Sequence, residues 1–217
     1  MVITFSDLNG EPAVRGFLHE PEIANGDGLV LSHGAGSNCE SKVLVGLATA
    51  IARSGFEVLR IDLPFRQARR YGPPFPSSAT TDREGIRRAA NMLRARVKGR
   101  VFAGGHSYGG RQTTILASNE PNLVQGLLLL SYPLHPPGKP SRLRTEHFPK
   151  LTKPALFVHG TRDPFGSIQE LRSAVEIIPG QHQIIEVEGA GHDLRPKSSA
   201  ELYDRVAREF QAFIGKI

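Results

Sequence analysis

Short apolar runs of strand length alternate with longer segments of helical period along most of this chain. Most of the runs are continuously apolar, which is typical of strands buried on both faces. Such alternation predicts an α/β fold, with a mostly parallel sheet and helices on both of its faces. The predicted strands cover residues 14–18, 28–32, 57–62, 100–104, 125–130, 155–159 and 183–187. The predicted helices cover residues 41–53, 81–97, 110–118, 167–178 and 200–213.

The chain contains neither a repeat nor a low-complexity linker that would divide it. Its 217 residues are enough for one sizeable core and too few for two typical ones. We therefore expect one domain over residues 1–217. The first strands, which precede any helix, are expected to form an antiparallel edge.

The composition argues against a nucleic-acid or a membrane partner. The net charge is +6, but the basic residues are scattered, and neither zinc-knuckle spacing nor an aromatic RNA-binding strand accompanies them. We expect no nucleic-acid partner and, because the apolar runs are short, no membrane partner. The N-terminus lacks the pattern of a secretory signal, and Cys39 is the one cysteine. These features favour a cytoplasmic protein; the oligomeric state stays open.

The segment Gly105-His106-Ser107-Tyr108-Gly109 has the pattern G-x-S-x-G between a predicted strand and a predicted helix. A nucleophilic serine must project from a sharp strand-to-helix turn, and small flanking residues allow the backbone to pack there. The alternative is a glycine-rich turn with an incidental serine. The context favours Ser107 as a nucleophile.

A serine hydroxyl needs an imidazole base, which a carboxylate holds in place. Asp163 and His192 each follow a later predicted strand, so both should lie at the same sheet edge as Ser107. Their order, serine then aspartate then histidine, is the one expected on such a fold. The sequence thus predicts the triad Ser107, Asp163 and His192. The alternatives are a turn aspartate and a surface histidine.

Other titratable residues compete for these roles. Asp62 also ends a strand, but it precedes Ser107 and is only the second choice for the acid. His106 lies inside the turn, so its side chain is expected to point away from the site, and His159 ends a core strand and is expected to be structural. Asp193 is the immediate neighbour of His192 and cannot orient its ring.

An early strand ends in His33-Gly34-Ala35-Gly36-Ser37. A turn of this type supplies a backbone N–H to a tetrahedral intermediate, together with the N–H that follows the nucleophile. We assign these two donors to Ala35 and Tyr108. The alternative is a tight turn without a catalytic role.

Two proline-rich connections, residues 64–80 and 131–150, follow strands, where open α/β sheets bind ligands. Both are too short for a substantial cap. The first connection contains Arg66, Arg69 and Arg70, which could bind an anionic substrate through paired hydrogen bonds. The alternative is that they form salt bridges or face solvent.

Four motifs, H-G-A-G-S, G-H-S-Y-G-G, H-G-T-R-D-P-F and G-A-G-H-D-L, occur in this order from about Gly28 to the C-terminus. Together they resemble the α/β-hydrolase superfamily, and within it the small, capless dienelactone-hydrolase-like proteins with H-G-A-G-S. Dienelactone hydrolases proper use cysteine as nucleophile, whereas this chain has Ser107, which argues against dienelactone as the substrate.

The resemblance implies a serine hydrolase that cleaves a small-molecule carboxylic ester or thioester through an acyl-enzyme, with no cofactor and no metal. An acyltransferase or peptidase would use the same triad. A second class stays open, because related eukaryotic members are thought to be complex subunits: a non-catalytic binding or scaffold protein on a hydrolase fold.

Overall fold

The computed structural model describes residues 1–195 and 199–216. Its strands are β1 (Val2–Asp7), β2 (Val14–His19), β3 (Gly28–Ser32), β4 (Glu57–Asp62), β5 (Val101–His106), β6 (Leu127–Leu130), β7 (Ala155–Gly160) and β8 (His182–Val187). The helices are α1 (Lys42–Arg53), α2 (Pro64–Ala68), α3 (Ala79–Arg96), α4 (Tyr108–Asn119), α5 (Ile168–Val175) and α6 (Ser199–Ile214). Short 3₁₀ turns cover Pro76–Ser78 and Phe148–Lys150.

The strands form one eight-stranded sheet in the order β1-β2-β4-β3-β5-β6-β7-β8. Strands β3 to β8 are parallel, while β1 and β2 add an antiparallel edge. The predicted mostly parallel sheet is confirmed. Two details differ: β3 pairs inside the parallel part instead of at the edge, and β1 was missed because its half-exposed, alternating residues lack a continuous apolar run.

Both faces of the sheet are covered. Helices α3, α4 and α5 pack on one face and helices α1 and α6 on the other. The four leucines of β6 show why its sequence is continuously apolar: Leu127 and Leu129 belong to one buried cluster, and Leu128 and Leu130 belong to the other. Successive side chains of a strand point to opposite faces, so a central strand needs apolar residues at every position.

The connections at the carboxyl ends of the strands build the site. Residues 64–80 contain α2, a 3₁₀ turn and the start of α3, so much of this proline-rich connection has regular structure. Pro64 occupies the first turn of α2, where its missing N–H costs nothing. The described residues contain no cap domain over this edge, and none of their helices is long and apolar enough to cross a membrane.

Candidate active site

Ser107 occupies a strained turn between β5 and α4. Its φ of 51° and ψ of −115° lie in a region that non-glycine residues rarely adopt. The Ser107 N–H donates to the Leu130 carbonyl at 2.8 Å, which ties the turn to β6. A Cβ atom at Gly109 would lie only 2.5 Å from the Ser32 hydroxyl, so the turn can pack against β3 only with glycine there.

The structure brings Ser107, His192 and Asp163 together in hydrogen-bonding order. The Ser107 Oγ lies 2.8 Å from His192 Nε2, and the His192 Nδ1 lies 2.8 Å from the Asp163 carboxylate. Asp163 is buried and also accepts the Phe165 N–H at 2.8 Å. An Nδ1–H donated to the carboxylate leaves Nε2 free to accept the serine proton, which is the tautomer a general base requires.

Two neighbours hold His192 in place. The Phe165 ring stacks on the imidazole, with centroids 4.1 Å apart and an interplanar angle of 29°. His106 Nε2 donates to the His192 carbonyl at 2.7 Å. Burial lowers the pKa of His106 to about 4, so this side chain is neutral at pH 7. The side chain of His106 was expected to point away from the site, but it lines the cavity and contacts His192, because the turn directs it toward the loop that carries His192. No sequence pattern indicated the contact made by Phe165.

The competing residues have other partners. Asp62 accepts the Cys39 N–H at 2.8 Å and lies 3.8 Å from His33, not beside His192. His159 donates to the Gly166 carbonyl at 2.7 Å, and burial lowers its pKa. Asp193 pairs with Arg195 on the surface. Asp163 is thus the carboxylate that reaches the His192 ring.

The loop after β3 approaches the serine closely. A Cβ atom at Gly34 would lie 3.5 Å from the Ser107 Cβ and 2.9 Å from His106 Nδ1. Buried His33 fixes this loop, because its Nε2 accepts the Leu63 N–H at 3.0 Å and its Nδ1–H donates to the Gly34 carbonyl at 2.8 Å. Burial lowers the pKa of His33 to about 4, which keeps the ring neutral and able to accept.

Ala35 and Tyr108 both line the cavity that contains Ser107. Within the described residues, neither backbone N–H donates to a protein acceptor. The Tyr108 hydroxyl donates to the buried Asp82 at 2.7 Å, and Asp82 also accepts the Phe65 N–H at 2.9 Å. Burial raises the pKa of Asp82, but these two hydrogen bonds favour its charged form. The side chain of the residue after the nucleophile is therefore anchored, while its backbone N–H stays available.

The loop arginines are placed differently from the prediction. The guanidinium of Arg66 donates all five of its N–H groups to backbone carbonyls, those of Ala35, Ser37, Arg69, Arg70 and Gly72. No donor of Arg66 remains for a substrate in this arrangement, which favours the alternative that this arginine has a structural role.

The other two loop arginines lie against aromatic rings of their own loop. Arg69 stacks on Phe75 at 4.0 Å and donates to the Pro73 carbonyl, and Arg70 lies 5.3 Å from the Tyr71 centroid. None of the three arginines is among the described residues that line the cavity. Their positions do not support the predicted role in substrate binding.

A cavity of about 710 Å³ opens beside Ser107 and His192. Its walls are largely apolar and come from both proline-rich connections, through residues such as Pro73, Phe75 and Pro133. Two arginines that the sequence analysis did not single out, Arg111 and Arg144, also line it. A concave, mostly apolar pocket with few polar groups is typical of a small-molecule site.

These features can be compared with known proteins. A family model described as an alpha/beta hydrolase domain matches residues 25–215. The chain belongs to this hydrolase family. The match covers all three residues of the hydrogen-bonded chain and the loop after β3.

Solved structures share the fold of this hydrolase at low sequence identity. A dienelactone hydrolase from Anabaena variabilis is 21% identical, has a TM-score of 0.77, and the match covers 98% of each chain. An alpha-beta serine hydrolase homologue from Coxiella burnetii is 18% identical with a TM-score of 0.77, over 95% of this chain and 96% of that one. A serine hydrolase without a lid from Xanthomonas campestris is 16% identical with a TM-score of 0.77, over 97% and 94%. The expected capless α/β-hydrolase fold is confirmed.

Proposed function

We propose that this hydrolase cleaves a small-molecule carboxylic ester or thioester through an acyl-enzyme at Ser107. The observation that carries the proposal is the continuous chain of two 2.8 Å contacts from the Ser107 hydroxyl through His192 to the buried Asp163. The strained φ of Ser107 supports it, because such strain persists where the surrounding structure holds a side chain for a task. A scaffold protein would need neither feature.

The first half of the reaction forms the acyl-enzyme. His192 Nε2 takes the proton of Ser107 as Oγ forms a bond to the carbonyl carbon of the ester. The carbonyl oxygen becomes an oxyanion, which the N–H groups of Ala35 and Tyr108 stabilise. The tetrahedral intermediate then collapses, the bond to the leaving group breaks, and His192 gives its proton to the departing oxygen or sulfur.

The second half releases the acid. Water replaces the leaving group, His192 accepts its proton, and the resulting hydroxide attacks the acyl carbon. Collapse of this intermediate breaks the bond to Oγ, and the proton on His192 returns to Ser107. Asp163 stays ionised throughout and stabilises the imidazolium.

Hydrolysis of 4-nitrophenyl acetate tests the proposal. Ser107→Ala and His192→Ala should each lower kcat by on the order of 10⁴ or more, since the residues act as one unit. Ser141→Ala, at an exposed serine, and His182→Ala, on β8, serve as matched controls and should keep the wild-type rate. Wild-type turnover in Ser107→Ala would overturn the proposal.

A further inference from the structure

Arg111 and Arg144 line the cavity beside Ser107 without an acidic partner among the described residues. Other half-buried arginines of the chain do have one: Arg88 pairs with Asp7 at 2.7 Å and Arg100 with Asp27 at 2.9 Å. A half-buried guanidinium is ordinarily paired, because leaving its charge uncompensated costs free energy. Within the part of the chain that the structure describes, Arg66 also lacks an acidic partner, but its donors are all used by backbone carbonyls, whereas the two cavity arginines have no such set of acceptors.

Most of their donors are free. The Nε of Arg111 is buried and has no hydrogen-bond partner among the described residues. The Arg144 guanidinium makes one long contact, 3.4 Å, to the Pro133 carbonyl. Buried donors of this kind are nearly always satisfied in folded proteins, by water or by a ligand where the protein offers no acceptor.

The backbone holds both arginines at the site. Arg111 begins the second turn of α4, where its N–H donates to the Ser107 carbonyl at 3.0 Å. The Arg144 N–H donates to the Leu134 carbonyl at 2.8 Å, and its own carbonyl accepts the hydroxyl of Tyr132 at 2.7 Å. The backbone of Arg111 is thus hydrogen-bonded to the turn that carries Ser107, and the backbone of Arg144 is hydrogen-bonded within the connection after β6.

The electrostatics of this wall favour an anion. Burial lowers the pKa of Arg144 and the nearby charge of Arg111 lowers it further, while Tyr132 and Glu146 raise it by smaller amounts. His147, on the same side, adds no compensating charge, because burial and Arg111 lower its pKa to about 4. An anion between the two guanidinium groups would relieve this repulsion and accept their unused N–H groups.

We infer that Arg111 and Arg144 form an anion-binding subsite, and that the substrate is an ester whose acyl or alcohol part carries a carboxylate. The inference rests on the proposed function and adds the substrate class to it. A carboxylate fits better than a phosphate dianion because the remaining wall is apolar, and a single charge costs less to bury there. The guanidinium fork binds carboxylate oxygens in pairs.

Two matched ester pairs test the inference. 4-Nitrophenyl hexanoate and mono-4-nitrophenyl adipate differ by a carboxylate on the acyl side. Methyl 4-acetoxybenzoate and 4-acetoxybenzoate differ by a carboxylate on the alcohol side. The readout is the ratio of kcat/KM for the anionic and neutral member of each pair.

In the wild-type protein, at least one pair should favour the anionic ester. Arg111→Gln and Arg144→Gln should each lower that ratio by about 10- to 100-fold, as expected for a lost charged hydrogen bond. Arg142→Gln is the matched control: it removes the same charge from an exposed position two residues from Arg144, and the ratio should not change. Arg111→Lys should recover only part of the ratio, because lysine keeps the charge and loses the fork.

Labelling by a neutral fluorophosphonate separates the two proposals. A variant in which the probe still labels Ser107 has kept a folded site. A changed ratio of kcat/KM for the anionic and neutral esters in that variant therefore reports on the subsite. Labelling of the wild type together with equal ratios in wild type, Arg111→Gln and Arg144→Gln would overturn the subsite and leave the proposed function standing. Absence of labelling in the wild type would overturn the proposed function and the subsite with it.

Discussion

At the scale of single residues, the roles divide between side chains that would react and side chains that place them. Ser107, His192 and Asp163 form the hydrogen-bonded chain that we propose to react, whereas His33, His106 and Phe165 contact backbone or ring positions. Burial keeps both His33 and His106 neutral, and each neutral ring holds a loop in place through its hydrogen bonds.

Asp163→Asn tests the role of the buried carboxylate. The amide keeps the shape of the side chain but can donate to His192 Nδ1, which would favour the wrong tautomer of the base. We expect kcat for 4-nitrophenyl acetate to fall by about 10³, somewhat less than for loss of Ser107. Asp193→Asn, at the exposed neighbouring position, should change kcat little. A larger loss in Asp193→Asn than in Asp163→Asn would contradict the assignment.

Much of this site could be predicted from the sequence because it lies in turns after strands of the parallel sheet. Ser107 and Asp163 follow buried strands, His192 follows the partly buried edge strand β8, and parallel strands bring those ends to one edge. Arg111 and Arg144 could not be predicted in the same way. Their place in the cavity depends on how the connection after β6 packs against α4, and no local pattern records that packing.

At the scale of elements, the connection after β4, residues 64–80, holds the loop after β3 in position through hydrogen bonds. Through Arg66 it binds two carbonyls of the loop after β3, at Ala35 and Ser37, and three carbonyls of its own. The sequence shows three arginines near the site, but it does not show which of them have their donors used by the backbone. Tertiary hydrogen bonds decide which arginines keep free donors, so the cluster of arginines in the sequence does not by itself identify a substrate-binding residue.

Arg66→Gln should therefore loosen the loop after β3, which carries the proposed oxyanion donor of Ala35. Without the hydrogen bonds from the Arg66 guanidinium, the N–H of Ala35 would be less well positioned. We expect kcat to fall by about 10- to 100-fold with a smaller change in KM. The reason is that a poorly placed oxyanion donor affects the transition state more than the bound ester. Arg70→Gln, which removes an exposed charge from the same loop, is the control. A rise in KM at constant kcat, selective for anionic esters, would instead restore direct substrate binding by Arg66.

At the scale of the whole molecule, one sheet with a buried cluster on each face joins almost every element. Strand boundaries were predicted within a few residues where the strand is apolar on both faces, as for β3 and β7. The edge strand β1 was missed because a half-exposed strand near a terminus carries a weak pattern. We propose that residues 1–217 fold as one domain, which predicts a single cooperative unfolding transition.

Stability should depend on pH through buried histidines. The pKa values of His19, His33, His106 and His147 are each lowered to about 4, mainly by burial, from an ordinary value of 6.5. Between these values the unfolded chain binds more protons than the folded one, so stability is lost as the pH falls from about 6.5 towards about 4.

Urea unfolding at pH 7.5, 6.5 and 5.5 measures this dependence. The midpoint should fall modestly between the first two values and more steeply by pH 5.5, above the range in which most carboxylates titrate. Because burial is the main cause, 0.5 M NaCl should leave the dependence in place, whereas it would screen surface charges. A constant midpoint from pH 7.5 to 5.5 would contradict the burial of these rings.

The central claim is that Ser107 is an activated nucleophile, and active-site labelling tests it most directly. The purified protein is incubated with a fluorophosphonate, and the modified peptide is located by mass spectrometry. We expect one added phosphonyl group per chain, on Ser107, with labelling abolished in Ser107→Ala and strongly slowed in His192→Ala. An unlabelled wild-type protein, or a label on another serine that persists in Ser107→Ala, would contradict it.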